Sequence, residues 1–316
     1  NLGMEDFLLE TFQENLMRTL QENDPFSDVT IHLGRKGSGT SVLNCHKHML
    51  AAQSPVFARL LNQAGQPSSM QGKGLMKASL RVECDPEAFG DVITFLYSGR
   101  ARVRPEYAME LLGVSLRYEI EALVRLYSAF FDACLSVTTV CPLLASALQF
   151  GLPATIVERC ESFLLRNASA SLSQPTMECL PEDELLRLLD DDDLQMHEIE
   201  AFLAVLRWGR ARYGEGYGQA GLREKLDPLM RSIRFPQIEG KDMADTIEPT
   251  NMVDPGLLLE AYRFRATGGS SASAGRGVSP DGKQNRRFFP RRFATAGMGI
   301  NGGGGGGGGA AVDASF

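Results

Sequence analysis

The chain has 316 residues, 43% of them hydrophobic, which is enough for about two folded domains of ~150 residues each. Its 32 basic and 39 acidic side chains give a net charge of −7, which argues against a protein whose main ligand is nucleic acid. No apolar run approaches the ~20 residues that a membrane-spanning helix needs, so we expect no membrane partner.

The first predicted elements are one long helix and two strands. The stretch MEDFLLETFQENLMRTL places apolar side chains at helical spacing, which predicts an amphipathic helix. The stretch DVTIHL alternates, which predicts a strand with Val29, Ile31 and Leu33 on one face. The glycine-rich GRKGSG predicts a loop, and TSVLNCH is a candidate hairpin partner of the first strand.

Further helices follow, and their ends carry local signals. MLAAQ predicts a helix, and a second one opens at Ser54, whose hydroxyl can cap it. A short strand with Leu80 and Val82 then precedes a helix that Asp85 caps and Gly99 can end. This part of the chain therefore mixes strands and helices.

Almost all of the chain between residues 100 and 267 shows helical spacing. The predicted helices centre on LLASALQF, TIVERCESFLL, EDELLRLL, EIEAFLAVLRW and GLLLEAY. Gly151 and the pair Phe235–Pro236 predict stops between helices. We therefore expect an all-helical second domain.

Composition changes sharply near Gly268. Beyond it lie GGSSASAGRGVSPDG, the basic stretch RRFFPRR and the run GGGGGGGG. Such a region cannot bury enough apolar surface to offset the conformational entropy of the chain. We therefore predict a disordered tail at residues 268–316.

The stretch NCHKHML brings three possible metal ligands together, Cys45, His46 and His48. A structural zinc site takes four Cys or His ligands, commonly as two separated pairs, and no second close pair is present in the sequence. We therefore expect neither a metal nor a cofactor, with Cys45 as a small buried residue. The six scattered cysteines predict reduced thiols, which favours a cytoplasmic or nuclear location.

No motif indicates an enzyme. The acidic run Asp190–Asp193 lacks the spacing of a calcium loop, and we predict instead that it lies at a helix N-terminus, which favours negative charge. The glycine-rich segments lack the phosphate-loop pattern, and no G-x-S-x-G motif marks a nucleophile.

Motifs in both halves of the folded region resemble known domains. FSDVTIHL, CHKHMLAAQSPVFARLL and LRVECDPEAFGDVITFLYSGRARV resemble, in order, the BTB (POZ) domain. LLDDDDLQMHEIEAFLAVLRWGR and LMRSIRFPQI resemble the BACK domain that follows BTB in kelch-like proteins. The resemblance implies an α+β BTB/POZ domain at residues 1–130 and an all-α BACK domain at residues 131–267, before the tail. No kelch repeat of ~50 residues follows.

The resemblance also implies a function. BTB–BACK proteins commonly form homodimers through their first helices and act as substrate adaptors of cullin-3 ubiquitin ligases. On this interpretation the partners are a second copy of the chain, cullin-3 and an unknown protein substrate. The alternative is a BTB scaffold or transcriptional co-regulator that does not bind cullin.

Matching the family's motifs assigns candidate residues. Asp28 and Lys47 correspond to a charged pair in the dimer-interface pocket. Cullin-binding relatives often carry an apolar-x-Glu motif, where this chain has Met76 and, in place of the glutamate, Ala78. Tyr97 matches a tyrosine that contacts cullin in relatives. We therefore expect weak cullin-3 binding that a glutamate at position 78 would tighten.

The basic stretch of the tail is a candidate patch for nucleic acid or nuclear import. Arg286, Arg287, Arg291 and Arg292 are interleaved with phenylalanines, a pattern that suits phosphate contacts and base stacking. No DNA-binding module accompanies the patch, so an incidental charge cluster or an import signal is favoured over nucleic-acid binding.

Overall fold

A small mixed sheet organises the first domain of the computed structural model. Strand β1 (Val29–Leu33) is central, pairing antiparallel with β2 (Ser41–Cys45) and parallel with β3 (Ala78–Val82). The predicted hairpin of the first two strands is thereby confirmed. The structure describes residues 2–21, 25–35, 40–64, 77–267 and 286–292.

The local helix signals act as the sequence predicts. The Ser54 hydroxyl accepts a hydrogen bond from the Phe57 amide at 3.0 Å, and Asp85 caps the next helix. Gly99 ends that helix with a φ of 70°, a conformation that glycine adopts without strain. The helices around the sheet are α1 Leu2–Gln21, α2 Lys47–Gln53, α3 Pro55–Ala64, α4 Pro86–Ser98, α5 Ala108–Arg117 and α6 Glu121–Cys134.

The second domain is helical, as predicted. Its centre is Trp208, which is fully buried and donates its indole N–H to the Leu180 carbonyl at 2.9 Å. None of the helices in the described ranges combines the length and the apolar composition that a membrane-spanning segment requires. The α-helices are α7 Val140–Gln149, α8 Ala154–Arg166, α9 Ala168–Leu172, α10 Glu182–Asp190, α11 Glu198–Tyr213, α12 Gly218–Ser232, α13 Gly240–Asp242 and α14 Pro255–Ala266.

The junction between the two regions lies later than the sequence analysis places it. Helix α6 continues without a break through residue 130 and ends at Cys134. The predicted boundary at residue 130 therefore falls inside a helix. We place the junction after Cys134.

The acidic run Asp190–Asp193 begins with the last residue of a helix, so the prediction of a helix N-terminus is wrong. Helix α10 ends at Asp190, and α11 begins only at Glu198. The C-terminal end of a helix carries partial negative charge, which acidic neighbours reinforce. Cations near this helix end therefore stabilise it. One of them is Arg234, which is 3% exposed and donates to Asp192 Oδ1 at 2.5 Å.

Part of the predicted tail packs on the helical domain. Residues 286–292, hereafter the basic segment, begin with a 3₁₀ turn at Arg286–Phe288. The Phe288 ring lies 5.1 Å from the ring of Phe264 in α14, measured between centroids. The expectation of a free tail is therefore wrong for the basic segment. The other residues of the predicted tail lie outside the described residues.

Candidate functional site

Asp28 connects three elements of the first domain. Its backbone N–H donates to the Cys45 carbonyl at 3.2 Å, and its own carbonyl accepts from the Ala78 amide at 2.9 Å. Its carboxylate Oδ1 accepts from the backbone N–H of Lys47 at 2.7 Å. Because Lys47 begins helix α2, this contact satisfies one of the orphan amides of the helix N-terminus and places negative charge beside it.

The predicted pairing of Asp28 with Lys47 takes a different form from the one expected. The carboxylate contacts the Lys47 amide, and no ion pair joins the two side chains, both of which the structure describes as half-buried. Asp28 and Lys47 therefore do not form the buried ion pair that was expected of them. Whether the two residues lie in a dimer interface stays a prediction.

We expect Asp28→Ala to lower the free energy of unfolding by about 1.5 kcal/mol, the low end for a hydrogen bond to a charged group, because the carboxylate is half-buried. Lys47→Ala is the matched control, since it keeps the backbone N–H that Asp28 binds. Urea unfolding of both variants measures the difference. Equal losses of unfolding free energy in the two variants would mean that the lysine charge, and not its amide, stabilises the connection between β2 and α2.

His46 and Tyr97 make further contacts at the connection between β2 and α2, hereafter the strand-to-helix junction. The Tyr97 hydroxyl accepts from the His46 backbone N–H at 2.9 Å and lies 2.9 Å from His46 Nδ1. Burial raises the pKa of the neighbouring Cys45 thiol to about 12, so it stays protonated at neutral pH and is a poor metal ligand. Among the described residues, no cluster of His, Cys, Asp and Glu could hold a metal ion.

Tyr97 is not available on the surface, contrary to the expectation that it contacts cullin. The side chain is 3% exposed, and its hydroxyl holds the strand-to-helix junction. In this conformation Tyr97 is a core residue.

Ala78 is also buried. It is the first residue of β3, pairs with Val29 of β1 and is 4% exposed. Ser79 next to it is exposed, as the alternation of a strand requires. The position matched to the family's glutamate therefore points into the core. Met76, the predicted apolar anchor, lies outside the described residues.

Helix α1 presents large apolar side chains to solvent. Phe7, Leu9 and Phe12 are 61%, 56% and 59% exposed. The helix is held to the domain through contacts with α4 and a 3.0 Å ion pair between Glu10 and Arg100. Exposed apolar groups at this density favour a partner surface.

The basic segment is anchored by a buried arginine. Arg291 is 4% exposed, and its Nε donates to Glu198 Oε1 at 2.7 Å. Its Nη1 donates to the carbonyls of Leu189 and Asp191 at 2.8 and 2.7 Å. The guanidinium thus supplies the positive charge that the C-terminal end of α10 requires.

The main chain of the basic segment is bound as well. Arg234 Nη1 donates to the Phe289 carbonyl at 3.1 Å, and Gln237 Nε2 donates to the Phe288 carbonyl at 3.0 Å. The Arg292 N–H donates to the Asp192 carbonyl at 2.7 Å. We call the surface that makes these contacts the tail groove. It lies between the end of α10, the start of α11, residues 235–237 and α14.

These contacts correct the prediction of an exposed arginine patch. Arg291 is buried against Glu198, and Arg287 is half-buried. Arg292 is exposed, while the side chain of Arg286 lies outside what the structure describes. The four arginines therefore do not form one free cationic surface.

Two of the buried charges of this site, Glu198 and Arg234, were not predicted from the sequence. Glu198 is 8% exposed and reads in sequence as an ordinary first-turn glutamate of α11. Arg234 carried a usable signal, because it lies between the buried apolar residues Ile233 and Phe235. A charge inside an apolar run predicts a buried ion pair.

Family comparisons agree with this architecture. The BTB/POZ domain family matches residues 17–135, and the family described as BTB And C-terminal Kelch, or BACK, matches residues 140–248. The chain is 28% identical over 287 residues to BTB/POZ domain-containing protein 19 of Bos taurus, covering 88% of this chain and 94% of that protein.

Other relatives are longer than this chain. The Serine-enriched protein of Drosophila melanogaster is 25% identical over 239 residues, which is 75% of this chain but 18% of that protein. Kelch-like protein 26 of Homo sapiens is 23% identical over 254 residues, 79% of this chain and 38% of that protein. The BTB match covers the region with the mixed sheet, and the BACK match covers the helical region that follows it. This chain therefore belongs to the BTB–BACK proteins.

Proposed function

We propose that the protein is a homodimeric substrate adaptor of a cullin-3 ubiquitin ligase. The observation that carries the proposal is the BTB domain followed directly by a BACK domain, the pair that forms protein-interaction modules in a family linked to cullin-3. Such an adaptor does no chemistry. It raises the effective concentration of a protein substrate near the ubiquitin-loaded enzyme, and a dimer supplies two arms.

The exposed apolar side chains of α1 support the dimer. We expect the protein to be a dimer at micromolar concentration and Phe12→Glu to weaken the dimer ten- to more than a hundredfold, because a buried phenylalanine contributes about 1.5–3 kcal/mol. Asn15→Glu places the same charge at an exposed polar position of the helix and is the matched control. If light scattering shows that the unmodified chain is a monomer at micromolar concentration, the proposed dimer is wrong.

Cullin binding is tested by calorimetry of the full chain with purified cullin-3. We expect weak binding that Met76→Asp abolishes, because an apolar anchor cannot be replaced by a charge without a desolvation cost. Met70→Asp makes the same change six positions earlier in the same stretch and should leave binding intact. If the unmodified chain shows no binding at tens of micromolar, the adaptor proposal fails.

A BTB scaffold or transcriptional co-regulator is the second candidate. Two observations favour it: Ala78 occupies the position of the family's glutamate, and Tyr97 is buried. Both remove contacts that cullin-binding relatives use. The same calorimetry separates the candidates, since a scaffold dimerises without binding cullin-3.

A further inference from the structure

The tail groove has the chemistry of an arginine-binding pocket. Three acceptors of different origin converge on the Arg291 guanidinium: the Glu198 carboxylate and the carbonyls of Leu189 and Asp191. Two guanidinium nitrogens face the two carboxylate oxygens, at 2.7 and 3.3 Å. A lysine ammonium cannot reproduce this planar, forked arrangement.

The groove also holds the backbone of its ligand independently of the side chains. The carbonyls of Phe288 and Phe289 and the amide of Arg292 each bind a group of the helical domain. Main-chain contacts of this kind give affinity to any segment that adopts the same backbone path, while side-chain pockets select the sequence. Here the selective positions are the arginine and the phenylalanine that packs on Phe264.

The basic segment reaches the groove from the same chain. Helix α14 ends at Ala266, and the segment begins at Arg286. A ligand tethered by a short linker has an effective concentration of about millimolar, so even a modest intrinsic affinity keeps the groove filled. Nothing about this arrangement requires the ligand to come from the same chain.

We propose that the tail groove is a recognition site for peptide segments that carry the pattern Phe-Phe-Pro-Arg, and that the basic segment is its resident and exchangeable ligand. A protein segment of the same chemistry then competes with the tail for the groove. This site is independent of the cullin and dimer surfaces of the first domain.

The test uses the full chain with Arg291→Ala, which empties the arginine pocket, and a fluorescent peptide spanning residues 284–294. We expect saturable binding to this variant and binding about ten- to a hundredfold weaker to the unmodified chain, in which the basic segment occupies the groove. A second Glu198→Gln substitution in the variant should weaken binding by about tenfold, the loss expected for one charged acceptor.

Two peptides provide the specificity controls. Changing the residue that corresponds to Arg291 to lysine keeps the charge but removes the fork, and changing it to alanine removes both. We expect binding to fall in that order. Equal binding of the arginine and lysine peptides would show general charge attraction, and equal binding of all three would show that this position contributes nothing. Either result would overturn the proposal.

A measurement on the unmodified chain covers the case in which Arg291→Ala does not fold. Excess peptide should displace the basic segment and speed hydrogen exchange at its amides, including Arg292, whereas the alanine peptide should not. If a folded Arg291→Ala chain binds no peptide, or if excess peptide leaves this exchange unchanged, the segment is a fixed part of the fold and the proposal is wrong.

Discussion

Ala78→Glu is expected to lower the free energy of unfolding by about 3–5 kcal/mol, the cost of an uncompensated buried charge. Ala78 is 4% exposed at the start of the parallel strand pair, so the carboxylate would replace a methyl group within the core. Overpacking adds to the loss. Chemical denaturation measures the effect directly.

Ser79→Glu is the matched control for that variant. It adds the same side chain to the neighbouring exposed position of β3, and we expect a change within about 0.5 kcal/mol. The comparison also bears on function, because the sequence alone predicts that a glutamate at position 78 tightens cullin binding. A stable Ala78→Glu chain with tighter binding would show that this strand end opens to the surface.

Ending the chain at residue 267 is expected to destabilise the helical domain by about 2–4 kcal/mol. The deletion removes the Arg291 guanidinium from Glu198 and from the end of α10. The cost stays below the ~3–5 kcal/mol of a permanently orphaned buried charge, because Glu198 becomes accessible to water once the segment is gone.

Ending the chain after residue 292 is the control for the tail. It keeps the basic segment and removes only the glycine-rich remainder, so thermal unfolding should match that of the full chain. If the two shortened chains melt at the same temperature, the basic segment contributes nothing to stability. That outcome would restore the domain end at residue 267.

The elements themselves were predictable because their signals are local. Ser54, Asp85 and Gly99 act on amides and carbonyls within four residues of themselves, so sequence spacing is enough to assign them. The alternation of Val29, Ile31 and Leu33 likewise identifies the buried face of a strand, and all three are in the core. The same logic explains the confirmed order of an α+β domain and a helical one.

The burial of the candidate site residues could not be predicted, because it depends on contacts between residues far apart in the chain. Tyr97 is buried with its hydroxyl on His46, a distant residue in the chain, and the inward face of β3 is set by its pairing with β1. Neither fact follows from a motif.

The tail shows the limit of composition as a guide. A glycine-rich, basic stretch lacks the apolar surface for a core of its own, and on that ground residues 268–316 were predicted to be free. The tertiary structure instead supplies an acidic helix end whose charge requires a cation, and Arg291 fills it. Sequence determined the two domains and their caps through local chemistry, whereas only the folded structure decided which distant charges were buried together.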